Sequence, residues 1–230
     1  PILAALILQT AYGAVDLWMV GRFATAADVS AVSTGSQLMH TITCVVTGLT
    51  MGTTVMLGQT LGQGKGEEAG SIIGSSIALF SLIAALLTAF TILGAGWLAR
   101  ITQVPEEAIP PSLSYIRMCG AGLCFITAYN VFGSIFRGMG DSKTPLMTVA
   151  IACAVNVAGD YLLVAVLGLG ALGAAIATVC AQGVSVAVSL LVVSRRGLGF
   201  PFSPRDIRFH RVKVGRILRL GTPVALQDGL

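Results

Sequence analysis

Two carboxylates stand inside apolar runs: Asp16 between Ile2 and Val20, and Asp160 between Pro145 and Leu167. At the centre of a membrane helix a carboxylate costs roughly 2.5 to 3.5 kcal/mol on insertion scales, so it faces a protein interior or an aqueous cavity and handles an ion, a proton or a substrate. Other polar residues fall in stripes around them. Gln9, Tyr12 and Asp16 lie at i, i+3 and i+7; Asn156 and Asp160 are one turn apart; Thr178, Gln182 and Ser185 line up likewise. Ser33, Gln37, His40 or Thr41, and Cys44 mark a face of the second helix. The stripes predict convergence on one wet cavity. Taken singly, a Gln, Ser or Thr reads as a structural contact between helices, whereas nothing structural requires a full carboxylate at Asp16 or Asp160. His40 has no second His or Cys at ligand spacing and reads first as a hydrogen-bonded structural residue, with a cavity role second.

The elements that carry these residues are set by composition. Charged residues make up 10% of the chain, hydrophobic residues 55%, and mean hydropathy is +0.86; a soluble domain carries about 25% charged residues. The chain is predicted to be an all-α integral membrane protein solvated by lipid. Its 28 glycines suit helices that meet through small residues; Gly48 with Gly52 and Gly70 with Gly74 each lie four apart and predict helix packing.

Breaks of Gly, Pro and charge divide the chain into six spans near 1–20, 30–61, 68–98, 110–136, 145–167 and 170–194, with a seventh beginning near Leu218. Each suffices to cross about 30 Å of hydrocarbon and exceeds what a membrane β-strand needs. Thr144 and Pro145 predict a cap and first turn for the fifth span. The division is a six-helix lobe over 1–194, a basic connector over 195–219 and the start of a seventh helix over 220–230. In the connector, Ser203, Pro204 and Asp206 predict a capped interfacial helix. Eleven Lys and Arg fall after spans two, four and six, against Arg22 and Arg100 after spans one and three. That bias places the even loops and both chain ends in the cytoplasm. It also accounts for the basic connector without nucleic acid as a partner.

Cys44, Cys119, Cys124, Cys153 and Cys180 all lie in apolar runs without a C-x-x-C, so neither a metal site nor a disulfide framework is predicted. Gly138-Met-Gly-Asp141 matches the string of intramembrane aspartyl proteases. That chemistry needs two carboxylates sharing a proton within the membrane, and Asp141 is followed by the hydrophilic Ser142, Lys143 and Thr144. Gly62, Gly64 and Gly66 around Lys65 lack the Ser or Thr and the preceding strand of a phosphate loop. No enzyme and no cofactor are predicted.

Several strings together resemble the multidrug and toxic compound extrusion (MATE) transporters: Asp16-Leu-Trp-Met-Val-Gly-Arg22, Arg137-Gly-Met-Gly-Asp-Ser-Lys-Thr-Pro145, Asn156-Val-Ala-Gly-Asp-Tyr161, Gly170-Ala-Leu-Gly-Ala-Ala-Ile-Ala-Thr178 and Leu220-Gly-Thr-Pro-Val224. The resemblance implies twelve helices in two pseudosymmetric lobes, of which this chain is the amino-terminal one; the carboxy-terminal lobe of the same polypeptide is then its missing partner. It further implies an antiporter in a bacterial plasma membrane that exports organic, cationic drugs or metabolites in exchange for H⁺ or Na⁺. The coupling cation is expected at Asp16, Asn156, Asp160 and Thr178. A substrate cavity is expected at Gln9, Tyr12, Gln37, His40, Tyr115, Asn130 and Gln182.

The alternative within transport is a lipid-linked sugar flippase, whose cavity offers Arg or Lys to a pyrophosphate; here only Arg117 falls within a span. A channel or structural role is the alternative outside it.

Overall fold

The computed structural model describes residues 2–203 and 206–229, with side chains described from Ile7 onward except those of Gln9, Tyr12 and Asp228. The described residues are predominantly helical, with no strand. Helix α1 (Ile2–Phe23) turns tightly into α2 (Ala26–Gly62), and α3 (Gly66–Ile101) returns antiparallel. At 37 and 36 residues, α2 and α3 reach about 55 Å at 1.5 Å per residue, so both overrun the hydrocarbon layer. The α1–α2 turn is closed by a capping box: Asp28 N–H donates to Thr25 Oγ1 at 3.2 Å, and Thr25 N–H donates to Asp28 Oδ2 at 3.2 Å. Glu67 and Glu68 open α3, where acidic side chains suit the positive helix end.

A short 3-10 turn (Glu106–Ala108) leads into α4 (Ile109–Ala121) and α5 (Leu123–Gly138). The fourth expected span is therefore two helices, bent by 47° at Gly122. The cause is tertiary. A Cβ on Gly122 would lie 2.8 Å from Val179 Cγ1, so a neighbouring helix presses on the backbone where only glycine gives room. Helix α6 (Lys143–Asp160) continues as a π-helix (Tyr161–Val166), in which Leu167 N–H reaches Leu162 O at 3.0 Å. Helices α7 (Gly170–Arg196) and α8 (Arg211–Gly229) complete the chain. Among the described residues, α2, α3, α6 with its π extension and α7 are long and apolar enough to cross a membrane, and the bent α4–α5 pair is a fifth candidate.

Two apolar clusters hold the bundle. One gathers Val20, Val32, Met39, Tyr115, Ile116, Val164 and Ala171. The other gathers Leu57, Ile72, Phe80, Val131, Ile135 and Ile217. On the outside, Leu82, Leu86, Phe90, Leu93 and Trp97 form an exposed apolar stripe along α3, as a lipid-facing helix requires.

Three local expectations are corrected. The first turn of α6 is capped by the side chain of Asp141, one residue ahead of the N-cap position Ser142, rather than by Thr144: its Oδ1 accepts from Lys143 N–H at 2.9 Å and Thr144 N–H at 3.0 Å, and its Oδ2 from Thr144 Oγ1 at 2.5 Å. These bonds hold the Asp141 carboxyl below its ordinary range, although partial burial, the largest single influence, pushes it upward. In the connector, Asp206 Oδ2 does accept from Ser203 N–H at 2.8 Å, but residues 207–210 that follow are not helical. Helix α8 begins at Arg211 and carries the basic residues and the apolar segment as one unit; Pro204 lies outside the described residues. Finally, Gly48 and Gly52 receive α8, with Cβ positions 2.9 Å from Ala225 Cβ and Ile217 C. Gly70 and Gly74 receive the connector instead of a helix, Gly74 lying 2.9 Å, Cβ to N, from Ile207. A small-residue pair reports that some backbone approaches, without specifying a helical one.

Candidate functional site

Asp16 on α1, Asn156 and Asp160 on α6 and Thr178 on α7 come together between three helices. Asn156 and Asp160 share a face because they are four apart. Close approach of α6 and α7 at this level depends on Gly159, where a Cβ would lie 2.9 Å from Ala177 Cβ. Asp16, Asn156 and Asp160 retain 6%, 1% and 0% of their exposure, so all three are withdrawn from bulk solvent. Thr178 Oγ1 donates to Asp16 Oδ2 at 3.4 Å and accepts from Asn156 Nδ2 at 3.4 Å, both at the loose end of the range.

Four acceptor oxygens remain without a hydrogen-bond partner among the described residues: Asp16 Oδ1, Asn156 Oδ1 and both carboxyl oxygens of Asp160. The two carboxyls are near enough to interact directly, yet no bond of normal geometry supplies Asp160 with a donor. Unpaired buried acceptors carry a desolvation cost of about 1–3 kcal/mol each, more where charged. A cluster of oxygens without a donor suits a proton, a hard cation or a cationic hydrogen-bond donor. Among the described residues there is no grouping of three or more His, Cys, Asp or Glu, so the donor set is two carboxylates, an amide and a hydroxyl.

The remaining expected cavity residues are distributed unevenly. Tyr115 is buried, its ring lying where a Cβ on Gly35 would fall. Its neighbour Cys119 is buried with it in one apolar cluster that also holds Val20, one turn after Asp16 on α1. Gln182 is buried on α7 with Oε1 unpaired. Gln37 and His40 are exposed on α2, and His40 Nε2 lies 3.5 Å from Cys44 Sγ on its own helix. Asn130 accepts from Thr47 Oγ1 at 2.9 Å and donates to Ile126 O at 2.8 Å, so it brackets α2 and α5. Ser185 donates to Thr148 O at 3.0 Å and brackets α6 and α7. Gln9 and Tyr12 have side chains outside the described residues.

Asp141 sits in the turn before α6, engaged in capping, which removes it as the partner of a membrane-embedded aspartyl dyad. Arg117 is exposed on α4 and is not gathered with the acidic cluster. Asp28 was not singled out in the sequence, although Thr25-x-x-Asp28 is a legible capping signature.

The MatE family model matches residues 1–162, which contain Asp16, Asn156 and Asp160. The chain belongs to the MatE family. It is similar to the probable multidrug resistance protein YpnP of Bacillus subtilis (strain 168), at 29% identity over 99% of this chain and 51% of that protein. It is similar in fold to a MATE protein crystallised in the bent conformation, with TM-score 0.91, 25% identity, and coverage of 98% of this chain and 50% of that one. An outward-facing multidrug resistance MATE transporter of the MOP superfamily matches with TM-score 0.90 and 24% identity over 99% of this chain and 51% of that one. The chain thus spans about half the length of the relatives it matches. YpnP and the outward-facing protein are described as a probable multidrug resistance protein and a multidrug resistance transporter, and the all-α, multi-span expectation holds.

Proposed function

We propose that this MatE chain is the amino-terminal lobe of a two-lobe exporter that exchanges H⁺ or Na⁺ for organic cations, and that Asp16, Asn156, Asp160 and Thr178 hold the coupling ion. The observation that carries this is the set of four buried acceptor oxygens with no hydrogen-bond donor among the described residues. Two carboxylates in one dry site cannot cheaply stay ionised together, so they take up cation or proton as a pair. A proton or Na⁺ entering the site neutralises it, weakens its hold on an organic cation and favours the opposite opening of the two lobes. Each net elementary charge carried inward per cycle across 100 mV supplies about 2.3 kcal/mol, a concentration ratio of about 50-fold; a one-for-one exchange with a monovalent cation moves no net charge and draws on the ion's concentration gradient alone.

Tyr115 and Gln182, both buried in the bundle, are the proposed contacts for the exported molecule, and Gln37 and His40 of α2 line its wider path. The even loops and both chain ends face the cytoplasm of a bacterial cell in this reading, supported by the Lys and Arg bias, and residues 195–219 connect the lobes.

The test is transport by the complete protein in proteoliposomes, with a pH gradient and a Na⁺ gradient imposed separately. Asp160→Asn keeps size and hydrogen-bonding capacity but removes the charge, so folded protein should reach the membrane and gradient-driven export should be lost. Wild-type export of a cationic dye by Asp160→Asn, with unchanged pH and Na⁺ dependence, refutes the proposal and favours the flippase or another uncoupled reading.

A further inference from the structure

Helix α7 delivers Thr178 to the acidic cluster, and its own lead-in holds its start by backbone alone, with Leu169 N–H donating to Leu163 O at 2.9 Å. It follows the π-helix and an irregular stretch in which Gly168 and Gly170 have φ of +65° and +52°. Its N-cap, Leu169, supplies no side-chain hydrogen bond. The anchor comes from another helix: Asp28 Oδ1 on α2 accepts from Ala171 N–H at 3.0 Å. The other oxygen, Oδ2, accepts from Thr25 N–H at 3.2 Å and Thr25 Oγ1 at 2.6 Å, and the turn is closed again by Ala24 N–H to Val20 O at 2.9 Å. One carboxylate therefore joins the turn that ends α1 to the first turn of α7. Gly170 makes room for it, because a Cβ there would lie 2.5 Å from Asp28 Oδ1 and 2.7 Å from its Cγ.

Ala171 and Thr178 are seven residues apart, on one face of α7 and about 10.5 Å apart along its axis. The two bonds Thr178 makes in the cluster are each 3.4 Å. A slip of α7 by a few tenths of an ångström carries them past hydrogen-bonding range. We infer that Asp28 is a positioning residue for cation coupling: its carboxylate fastens α7 to the α1–α2 turn and so sets the depth at which Thr178 meets Asp16 and Asn156. This rests on the reading of those residues as the coupling site. Contacts that orient ion ligands from behind alter affinity by about 10–100-fold when removed.

The test uses the complete transporter in proteoliposomes. It reads the H⁺ or Na⁺ concentration giving half-maximal export, the maximal rate, and the melting temperature of the same preparations. Asp28→Ala removes both halves of the contact and should raise the half-saturating concentration by about 10-fold, with a smaller change in maximal rate. Thr25→Ala removes only the capping half and should move it less than about 2-fold, even where it lowers the melting temperature. Asp28→Asn keeps an acceptor for Ala171 N–H and should recover most of the lost affinity. If Asp28→Ala fails to fold, Gly170→Ala, which crowds the carboxylate without removing it, should show the same shift.

An unchanged half-saturating concentration in folded Asp28→Ala or Gly170→Ala overturns the inference. So does a shift in Thr25→Ala equal to that in Asp28→Ala, which would mean that only helix capping matters. A wild-type protein whose export ignores both cations instead overturns the coupling reading itself.

Discussion

Replacing Gly52 by alanine probes a close helix contact, that of α8 on α2. A Cβ there would lie 2.9 Å from Ile217 C and 3.0 Å from Gly221 N, and would fall on the Ile217 carbonyl oxygen. Non-bonded carbons sit best at about 3.5–4.0 Å, so α8 has to withdraw by at least about 0.6 Å. The atoms in the way are backbone and cannot rotate aside. Overpacking of this kind costs about 1–3 kcal/mol. The natural control is Gly94→Ala, where no atom lies within 4 Å of the added methyl. Both variants share the gain of up to about 1 kcal/mol that alanine has over glycine in a helix, so the difference between them isolates the contact. At about 2–4 °C per kcal/mol for a domain of this size, Gly52→Ala should melt about 2–12 °C below Gly94→Ala. The assay is the monodisperse fraction of purified complete transporter in detergent, followed as a function of temperature. Equal melting of the two variants, or a higher melting point for Gly52→Ala, refutes the account of α8 seated on the glycines of α2.

Three further outcomes are expected. Asp141→Ala should lower stability at neutral pH by about 1 kcal/mol, the usual worth of a helix cap; because the folded carboxyl titrates below its unfolded value, that contribution is present above the ordinary carboxylate range and vanishes as pH falls through the depressed one, so wild type and variant should converge in acid melts. Single cysteines at Ala26 and Pro105, in a background without native cysteines, should label from outside with an impermeant reagent while those at Gly64 and Gly199 do not; the reverse pattern inverts the topology. Cells expressing residues 1–230 alone should insert the chain without exporting dye, since alternating access needs two bodies, and export by such cells would contradict the two-lobe reading.

Asp16 and Asp160 were legible in the sequence because charge inside an apolar run is rare enough to announce itself, and the one-turn spacing of Asn156 and Asp160 already placed them on a common face. That Thr178 completes the group came from the family resemblance, since a lone threonine on a membrane helix carries no signal of its own. The break at Gly122 was hidden because hydropathy runs unbroken across it; its cause, Val179, belongs to another helix. The π-helix after Asp160 was hidden too, since Tyr161–Val166 is apolar in either helical geometry. Asp28 was missed differently. Its capping signature was present in the sequence, but its bond to Ala171, 143 positions away, exists only once the chain has folded.

The connector between α7 and α8 bears on how this protein can be engineered. A long polar loop joining two halves of a chain is the usual choice for an inserted tag, a protease site or a circular-permutation break. Here its backbone is sunk into the surface of α3, with Pro201 and Asp206 carbonyls occupying the places that side chains at Gly70 and Gly74 would take. Lys213, just beyond, donates to Ser71 on the same helix. The loop is a splint rather than a tether, and cargo spliced into it must first prise it off. The turn at Gly64 is the better host: it has a φ of +74°, it is exposed, and no atom lies within 4 Å of an added side chain's first carbon.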